Sequence, residues 1–216
     1  MLQLLLPQRC VVCGCLGPQI CPRCLAELPR LTGPRCERCG APAAWPVRRC
    51  SECTGRRLAF ASARAAVEYD AAVKALVSAW KEHGLRRLVL VAAELVVEVV
   101  PPPAGVLTFV PADGDRRRKR GHHTAERLAR ELGRRWELPV EPLLVRARPL
   151  PRQRGLPLAE RRRNVHGAFR ARPSPRDVCV VDDVYTSGAT ANAAASALRA
   201  VGARRVTVVT FARAIR

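Results

Sequence analysis

The chain has 216 residues, of which 48% are hydrophobic, a composition that supports a packed core and argues against global disorder. Its formal net charge of +20 leaves two interpretations open: a surface that attracts nucleic acid, or a compositional preference for arginine. No apolar run is long and uncharged enough to span a membrane, and the N-terminal segment does not resemble a signal peptide. We therefore expect a cytoplasmic protein with one full domain and one small one.

The N-terminal quarter of the chain is rich in cysteine. Nine of the ten cysteines lie between residues 10 and 53, and eight of these form four CxxC pairs. Each CxxC turn places two sulfurs on one side of a tight knuckle, and two knuckles complete a closed, structural Zn(Cys)₄ site. In a cytosolic chain such pairs favour metal over disulfides. We predict two structural zinc ions, held by Cys10, Cys13, Cys21, Cys24, Cys36, Cys39, Cys50 and Cys53.

The way in which the four pairs combine is open at this stage. Sequential pairing, first with second and third with fourth, is the simplest arrangement, but an interleaved one is equally compatible with the spacing. We place this zinc-ribbon module at residues 1–57, where large apolar residues are few, so that metal binding would supply its folding free energy. Cys15 is outside the pattern and is expected to be a spare thiol. Capping of the next domain is the default role, with nucleic-acid or partner binding as alternatives.

A second domain, at residues 58–216, has the pattern of an α/β protein. Its hydrophobic spacing predicts a strand at 61–69, helices at 71–83 and 85–100, a strand at 106–110, a helix at 124–136 capped by Thr124, and a strand at 140–145. Gly84 is a plausible stop for the first of these helices. Residues 146–176 are rich in Arg and Pro and are expected to form a long loop, which in a compact domain is usually functional.

The C-terminal stretch predicts a strand at 177–184, a turn at 185–189, a helix at 190–201 and a strand at 205–211. This order is typical of a βαβ unit in a parallel sheet, where ligands bind at the carboxyl ends of the strands. The fold class is therefore a parallel sheet flanked by helices, preceded by the small zinc-ribbon module.

Two adjacent acids, Asp182 and Asp183, end the strand at 177–184. Carboxylates in this position can accept hydrogen bonds from vicinal ribose hydroxyls or bind a hydrated Mg²⁺. A turn of small residues follows and opens a helix, whose free N–H groups and dipole suit a phosphate. The alternative is an Asp-capped helix in a generic α/β protein. We predict a pentose 5-phosphate site whose acids are followed by the phosphate-binding residues Thr186, Ser187, Gly188, Ala189 and Thr190.

Residues 180–190 resemble the signature of type I phosphoribosyltransferases. Along most of its length the chain resembles the ComF family of competence-related proteins, with further matches at Arg120–Gly121, at Gln153 and in residues 163–169. The sequence His122-His123-Thr124 departs from the family pattern. The resemblance implies a type I phosphoribosyltransferase-like fold that binds phosphoribosyl pyrophosphate, or a similar ligand, with Mg²⁺. Enzymes with such a site displace pyrophosphate from the anomeric carbon, but nothing in the sequence identifies an acceptor.

A basic loop follows the strand predicted at 106–110. It would hold pyrophosphate or contact nucleic acid, through Arg116, Arg118, Arg120 and Gly121. His122 or His123 could serve as a general base, although a surface histidine without such a role is the simpler interpretation. Two hypotheses remain: a phosphoribosyltransferase, or a non-catalytic competence factor that binds single-stranded DNA and works with a helicase.

Overall fold

The computed structural model describes residues 8–112, 123–147 and 167–215. Within these ranges the N-terminal segment holds one short helix, and the rest of the chain contains four helices and six strands. The helices are α1 (Pro22–Ala26), α2 (Ala71–Glu82), α3 (Leu88–Val99), α4 (Thr124–Trp136) and α5 (Ala189–Ala200). The strands are β1 (Ser62–Glu68), β2 (Val106–Phe109), β3 (Leu144–Arg146), β4 (Phe169–Ala171), β5 (Asp177–Tyr185) and β6 (Arg205–Arg213).

The main sheet has four parallel strands in the order β1-β6-β5-β2, and β3 and β4 form a separate antiparallel pair. The strands β5 and β6 are neighbours, with Val178 opposite Val206 and Val181 opposite Val209. Helix α5 connects them, which confirms the predicted βαβ unit. The expectation of a mostly parallel sheet flanked by helices is thus confirmed.

Alternate residues of β5 and β6 face two different hydrophobic clusters, as the two-residue period of a strand requires. Cys179 and Val181 pack with residues of α2, α3 and α4 on one face of the sheet. Val178 and Val180 pack with residues of α5 and the small β3–β4 sheet on the other. Both faces are covered, which explains why these strands read as continuous apolar runs.

The cysteine-rich segment packs against both clusters and covers the exposed edge of the sheet. Its first half contributes to the α2–α3–α4 cluster and its second half to the α5 cluster. Between the halves, the Leu31 amide donates to the Ala66 carbonyl (2.8 Å) and Arg30 bridges Val67 in an antiparallel sense. The edge strand β1 thereby gains a partner, which protects it from pairing with another chain. The boundary at residue 57 stays a prediction, because the apolar clusters extend across it.

Most predicted helices and strands are confirmed to within a few residues. Helix α2 ends at Glu82, and Gly84 follows in the left-handed conformation (φ 69°), as its predicted role as a stop requires. Helix α3 begins three residues later than predicted, because residues 85–87 form a turn. None of the helices in the described ranges is long and apolar enough to cross a membrane.

Three details of the prediction were wrong. Thr124 does not cap α4: the preceding His123 has the extended backbone of a cap, and its Nδ1 accepts from the Glu126 amide (3.0 Å). The strand predicted at 140–145 is confined to β3, since Pro142 has no N–H for a ladder. The loop predicted at 146–176 contains β4, a strand too short to show a period; residues 148–166 lie outside the described ranges.

Candidate sugar-phosphate site and two cysteine tetrads

The eight CxxC cysteines form two groups of four, and the sequential pairing is the one observed. We call Cys10, Cys13, Cys21 and Cys24 the first tetrad, and Cys36, Cys39, Cys50 and Cys53 the second tetrad. Sulfurs about 2.3 Å from a tetrahedral Zn²⁺ lie about 3.8 Å apart. The Sγ···Sγ distances are close to that value: 3.8 Å for Cys13–Cys21, 3.6 Å for Cys36–Cys53 and 3.4 Å for Cys39–Cys50. The two tetrads fit two structural zinc ions.

Each tetrad contains a cysteine with a lowered pKa, as a metal ligand needs. Burial raises the pKa of Cys10, but hydrogen bonds from backbone N–H groups outweigh it and bring the pKa to about 6. The same balance brings the pKa of Cys36 to about 7. Cys15, predicted to be a spare thiol, is exposed and lies outside both tetrads, with its Sγ 3.3 Å from that of Cys13.

The two acids lie at the carboxyl end of β5, as predicted, and have different surroundings. Asp183 faces helices α2 and α4: Lys81 Nζ lies 2.6 Å from its Oδ1, and the Thr124 hydroxyl donates to its Oδ2 (3.0 Å). Asp182 accepts from the Asp183 amide (2.9 Å) and lines a small cavity with residues of the turn at 186–190, which we call the phosphate turn after its predicted role. The acid that shares a cavity with the phosphate turn is therefore Asp182.

The pKa of Asp182 is raised to about 7. Burial is the main cause, the charge of neighbouring Asp183 adds to it, and the ammonium of Lys81 opposes both. Near neutral pH, the carboxyl of Asp182 therefore exchanges between its neutral and ionised forms.

The phosphate turn, residues 186–190, has the backbone that its sequence predicts. Gly188 is the N-cap of α5 and adopts a left-handed conformation (φ 69°). A Cβ at this position would collide with the phenol of Tyr185, so both the conformation and the space require glycine. The first N–H groups of α5 have no carbonyl partner within the helix; that of Ala189 donates to the Ser187 hydroxyl (3.3 Å), and the next ones are available for an anion. Thr186 and Thr190 line the same small cavity as Asp182.

Two arginines support this turn from the side of the second tetrad. Arg213, at the end of β6, is 1% exposed; it donates to the Cys39 carbonyl (2.6 Å), forms an ion pair with Glu52 (2.6 Å) and lies over the Tyr185 ring. Arg56 donates to the Ser187 carbonyl in the turn (2.9 Å). The second tetrad is thus connected by hydrogen bonds and ring contacts to the phosphate turn.

A larger cavity of about 500 Å³ lies beside the turn. It is lined by small side chains of α5, by Phe169 and Leu58, and by Arg56 and Arg57. It shares Ala189 with the phosphate turn, so a ligand in the turn would border this space.

Several predicted site residues cannot be placed. Arg116, Arg118, Arg120, Gly121 and His122 all lie outside the described ranges. His123 is half-buried, and both ring nitrogens are within hydrogen-bond distance of backbone amides, of which a neutral ring can accept only one. In the structure, His123 caps the N-terminus of α4.

Sequence reasoning missed three residues that contact the site: Lys81, Arg213 and Arg56. Arg213 carried a signal, because it is a charge that directly follows the apolar residues Phe211 and Ala212 at the end of a largely buried strand. Lys81 is one of only three lysines, yet nothing in its helical pattern indicates that it reaches Asp183, 102 residues away.

The comparisons with known proteins agree with the N-terminal cysteines and with the resemblance. Residues 1–54 match the model of the double zinc ribbon domain. The chain is 27% identical to competence protein F of Haemophilus influenzae over 197 residues, covering 84% of this chain and 85% of the relative. The crystal structure of TT1426 from Thermus thermophilus aligns with 56% of this chain and 72% of its own, at 20% identity and a TM-score of 0.34. The resemblance to the ComF family and the zinc-ribbon module are confirmed.

Proposed function

From the resemblance of residues 180–190 to the signature of type I phosphoribosyltransferases and from the geometry of the acids, we propose that this protein binds phosphoribosyl pyrophosphate or a related sugar phosphate. One observation carries the proposal: Asp182 lines the same small cavity as Thr186, Gly188 and Thr190 of the phosphate turn. The carboxylate can accept hydrogen bonds from the ribose hydroxyls, and the N–H groups of the turn can bind the 5-phosphate. Together they match the two ends of a pentose phosphate.

Magnesium would enter with such a ligand. The pyrophosphate oxygens are the ligands Mg²⁺ prefers, and in the described part of the chain the groups of three or more candidate metal ligands are the two cysteine tetrads. This chain therefore supplies no Mg²⁺ cage of its own there. Transfer of the ribosyl group would need an acceptor, and the cavity beside the turn is the space in which it would lie.

Calorimetric titration with phosphoribosyl pyrophosphate and Mg²⁺ tests the proposal. We expect micromolar binding, on the order of −8 kcal/mol, by the wild type. The Asp182→Asn, Asp183→Asn double variant should lose it while retaining two zinc ions and its circular dichroism spectrum. Asp177→Asn, at the opposite end of β5, is the matched control and should bind as the wild type does. Absence of binding by folded, zinc-loaded wild type would refute the proposal.

A second candidate function is binding of single-stranded DNA in the cytoplasm during DNA uptake, together with a helicase. The net charge of +20 and the competence-related relative favour it. Affinity for an oligonucleotide should then fall steeply with salt, and charge reversal at Arg116, Arg118 and Arg120 should abolish it. Binding that is absent or insensitive to salt would exclude this role. Both functions can coexist, since a ligand could regulate a DNA-binding factor.

A further inference from the structure

We infer that Lys81, and not a divalent metal ion, is the resident cation of the acid pair, and that it positions Asp182 and Asp183 for the ribose hydroxyls of the ligand. The inference rests on the proposed function and deepens it. Its consequence is that a sugar phosphate without pyrophosphate should bind without magnesium.

The contact between Lys81 and Asp183 is close and largely shielded from solvent. The ammonium lies 2.6 Å from Oδ1, and the two side chains are 22% and 14% exposed. Lys81 is in the last turn of α2, a helix whose start is fixed by Asp70, which accepts from the Val73 amide (2.8 Å). A cation held in this way is part of the folded site.

Asp183 does not offer a metal ion a free carboxylate. Its Oδ1 faces Lys81 and its Oδ2 accepts from Thr124, so each oxygen already faces a donor. Mg²⁺ needs near-octahedral oxygen ligands at about 2.1 Å, and it would be repelled by an ammonium on the same carboxylate. Direct coordination of Mg²⁺ by Asp183 therefore does not fit the structure.

The ion pair between Lys81 and Asp183 also explains how two adjacent carboxylates can lie at the end of one strand. Two unpaired carboxylates would repel each other and favour protonation of one. Lys81 neutralises Asp183, so that Asp182, beside the phosphate turn, remains able to accept from a hydroxyl. Lys81 acts on the ligand through the acids and is a positioning residue.

Ribose 5-phosphate is the discriminating probe, because it has the hydroxyls and the 5-phosphate but no pyrophosphate to bring a metal. We would titrate it calorimetrically into wild type, Lys81→Met, Lys81→Arg and Lys74→Met, with and without added Mg²⁺, and repeat the series with phosphoribosyl pyrophosphate. Lys74, exposed on the same helix, provides the matched control.

We expect the wild type and Lys74→Met to bind ribose 5-phosphate equally with and without Mg²⁺. Lys81→Met should bind at least about tenfold more weakly without Mg²⁺ and recover when Mg²⁺ is added, because the vacated position can then accept a metal. Lys81→Arg retains the charge and should remain independent of Mg²⁺. A structural role of Lys81 alone would weaken binding with and without metal alike.

Wild type that binds ribose 5-phosphate only with Mg²⁺ would overturn the inference, and so would Lys81→Met with unchanged, metal-independent binding. The wild-type measurement decides the matter even if Lys81→Met fails to fold. Wild type that binds neither ligand under any condition would instead remove the proposed function, and the inference with it.

Discussion

The two cysteine tetrads have the same four ligands and the same CxxC spacing, yet they lie in different surroundings. In the first tetrad Cys13 is exposed, and the ribbon around it packs near α2 and α3, on the face of the sheet opposite α5. In the second tetrad Cys36 and Cys53 are fully buried, and its ribbon packs against α5, β5 and β6. One spacing pattern thus gives one site near the surface and one inside the core.

This contrast indicates that a structural metal site can also stabilise a candidate ligand site. Among the residues that the structure describes, the second ribbon and not the first contributes side chains, Glu52 and Arg56, whose contacts lead to Tyr185 and the phosphate turn. Metal in the second tetrad should therefore stabilise the turn, whereas metal in the first should stabilise only its own ribbon and the adjacent helices.

The largest effect is expected from Cys53→Ser compared with Cys13→Ser. Structural zinc in small modules contributes about 10–16 kcal/mol, comparable with the whole stability of a domain. Cys53→Ser should lose the second zinc ion, unfold at a much lower temperature and lose sugar-phosphate binding. Cys13→Ser should lose the first zinc ion but keep its affinity within about threefold, because its site does not contact the turn.

Zinc content per chain, thermal unfolding and calorimetry would measure these differences. Equal losses of ligand affinity in both variants would show that the tetrads support the site equally, contrary to the contacts observed.

The next largest effect is expected on the free energy of unfolding when either of two ion pairs, one beside each tetrad, is broken. Arg213→Met leaves Glu52 without its partner in a largely buried setting, which should cost about 3–5 kcal/mol in the free energy of unfolding. Arg30→Met breaks the pair with Glu98 on the first side, where both partners are partly exposed, and should cost about 1 kcal/mol or less. Urea denaturation would measure the free-energy cost of each variant. Similar costs would contradict the expected difference between the buried and the partly exposed ion pair.

A smaller effect is expected when Arg56 is changed to Met. The Ser187 carbonyl loses a charged donor, and loosening of the turn should weaken sugar-phosphate binding about fivefold to tenfold, or about 1 kcal/mol. Hydrogen exchange at residues 186–190 should increase while zinc content stays at two. Arg23→Met, which removes an exposed pair with Glu27 on α1, is the control and should change neither quantity.

A further effect, on the pH dependence of stability, is expected from the titration of Asp182. Its folded-state pKa of about 7 lies above its ordinary value of 3.8, so the folded protein binds the proton more tightly than the unfolded chain. The contribution of this group to stability is full below pH 4 and is lost as the pH rises through 7. Asp182→Asn should flatten this decline, as urea denaturation at pH 5 and pH 8 would show.

The same decline is expected in Cys13→Ser, because the first tetrad does not contact Asp182. If the slope of stability against pH changed in Cys13→Ser, the first tetrad and Asp182 would be coupled in a way that the observed contacts do not explain.

Features that depend on local pattern could be predicted from the amino-acid sequence. The CxxC spacing predicted the zinc ligands, because each pair forms its own knuckle. The strand, two acids and small-residue turn at 177–190 predicted the βαβ unit and the place of the site, because strand period, helix start and the need for Gly188 are all local. The strand β4 and the cap at His123 were missed, since a three-residue strand has no readable period and a histidine cap is uncommon.

The long-range contacts between these local features became visible in the three-dimensional structure. The CxxC spacing is compatible with both sequential and interleaved pairing of the cysteines, and the structure shows the sequential one. It placed Lys81 on Asp183, 102 residues away, and Arg213 between Tyr185 and Cys39 of the second tetrad, which is 174 residues away. Such contacts depend on how helices pack on the two faces of the sheet, and packing is a property of the whole chain that no local pattern encodes.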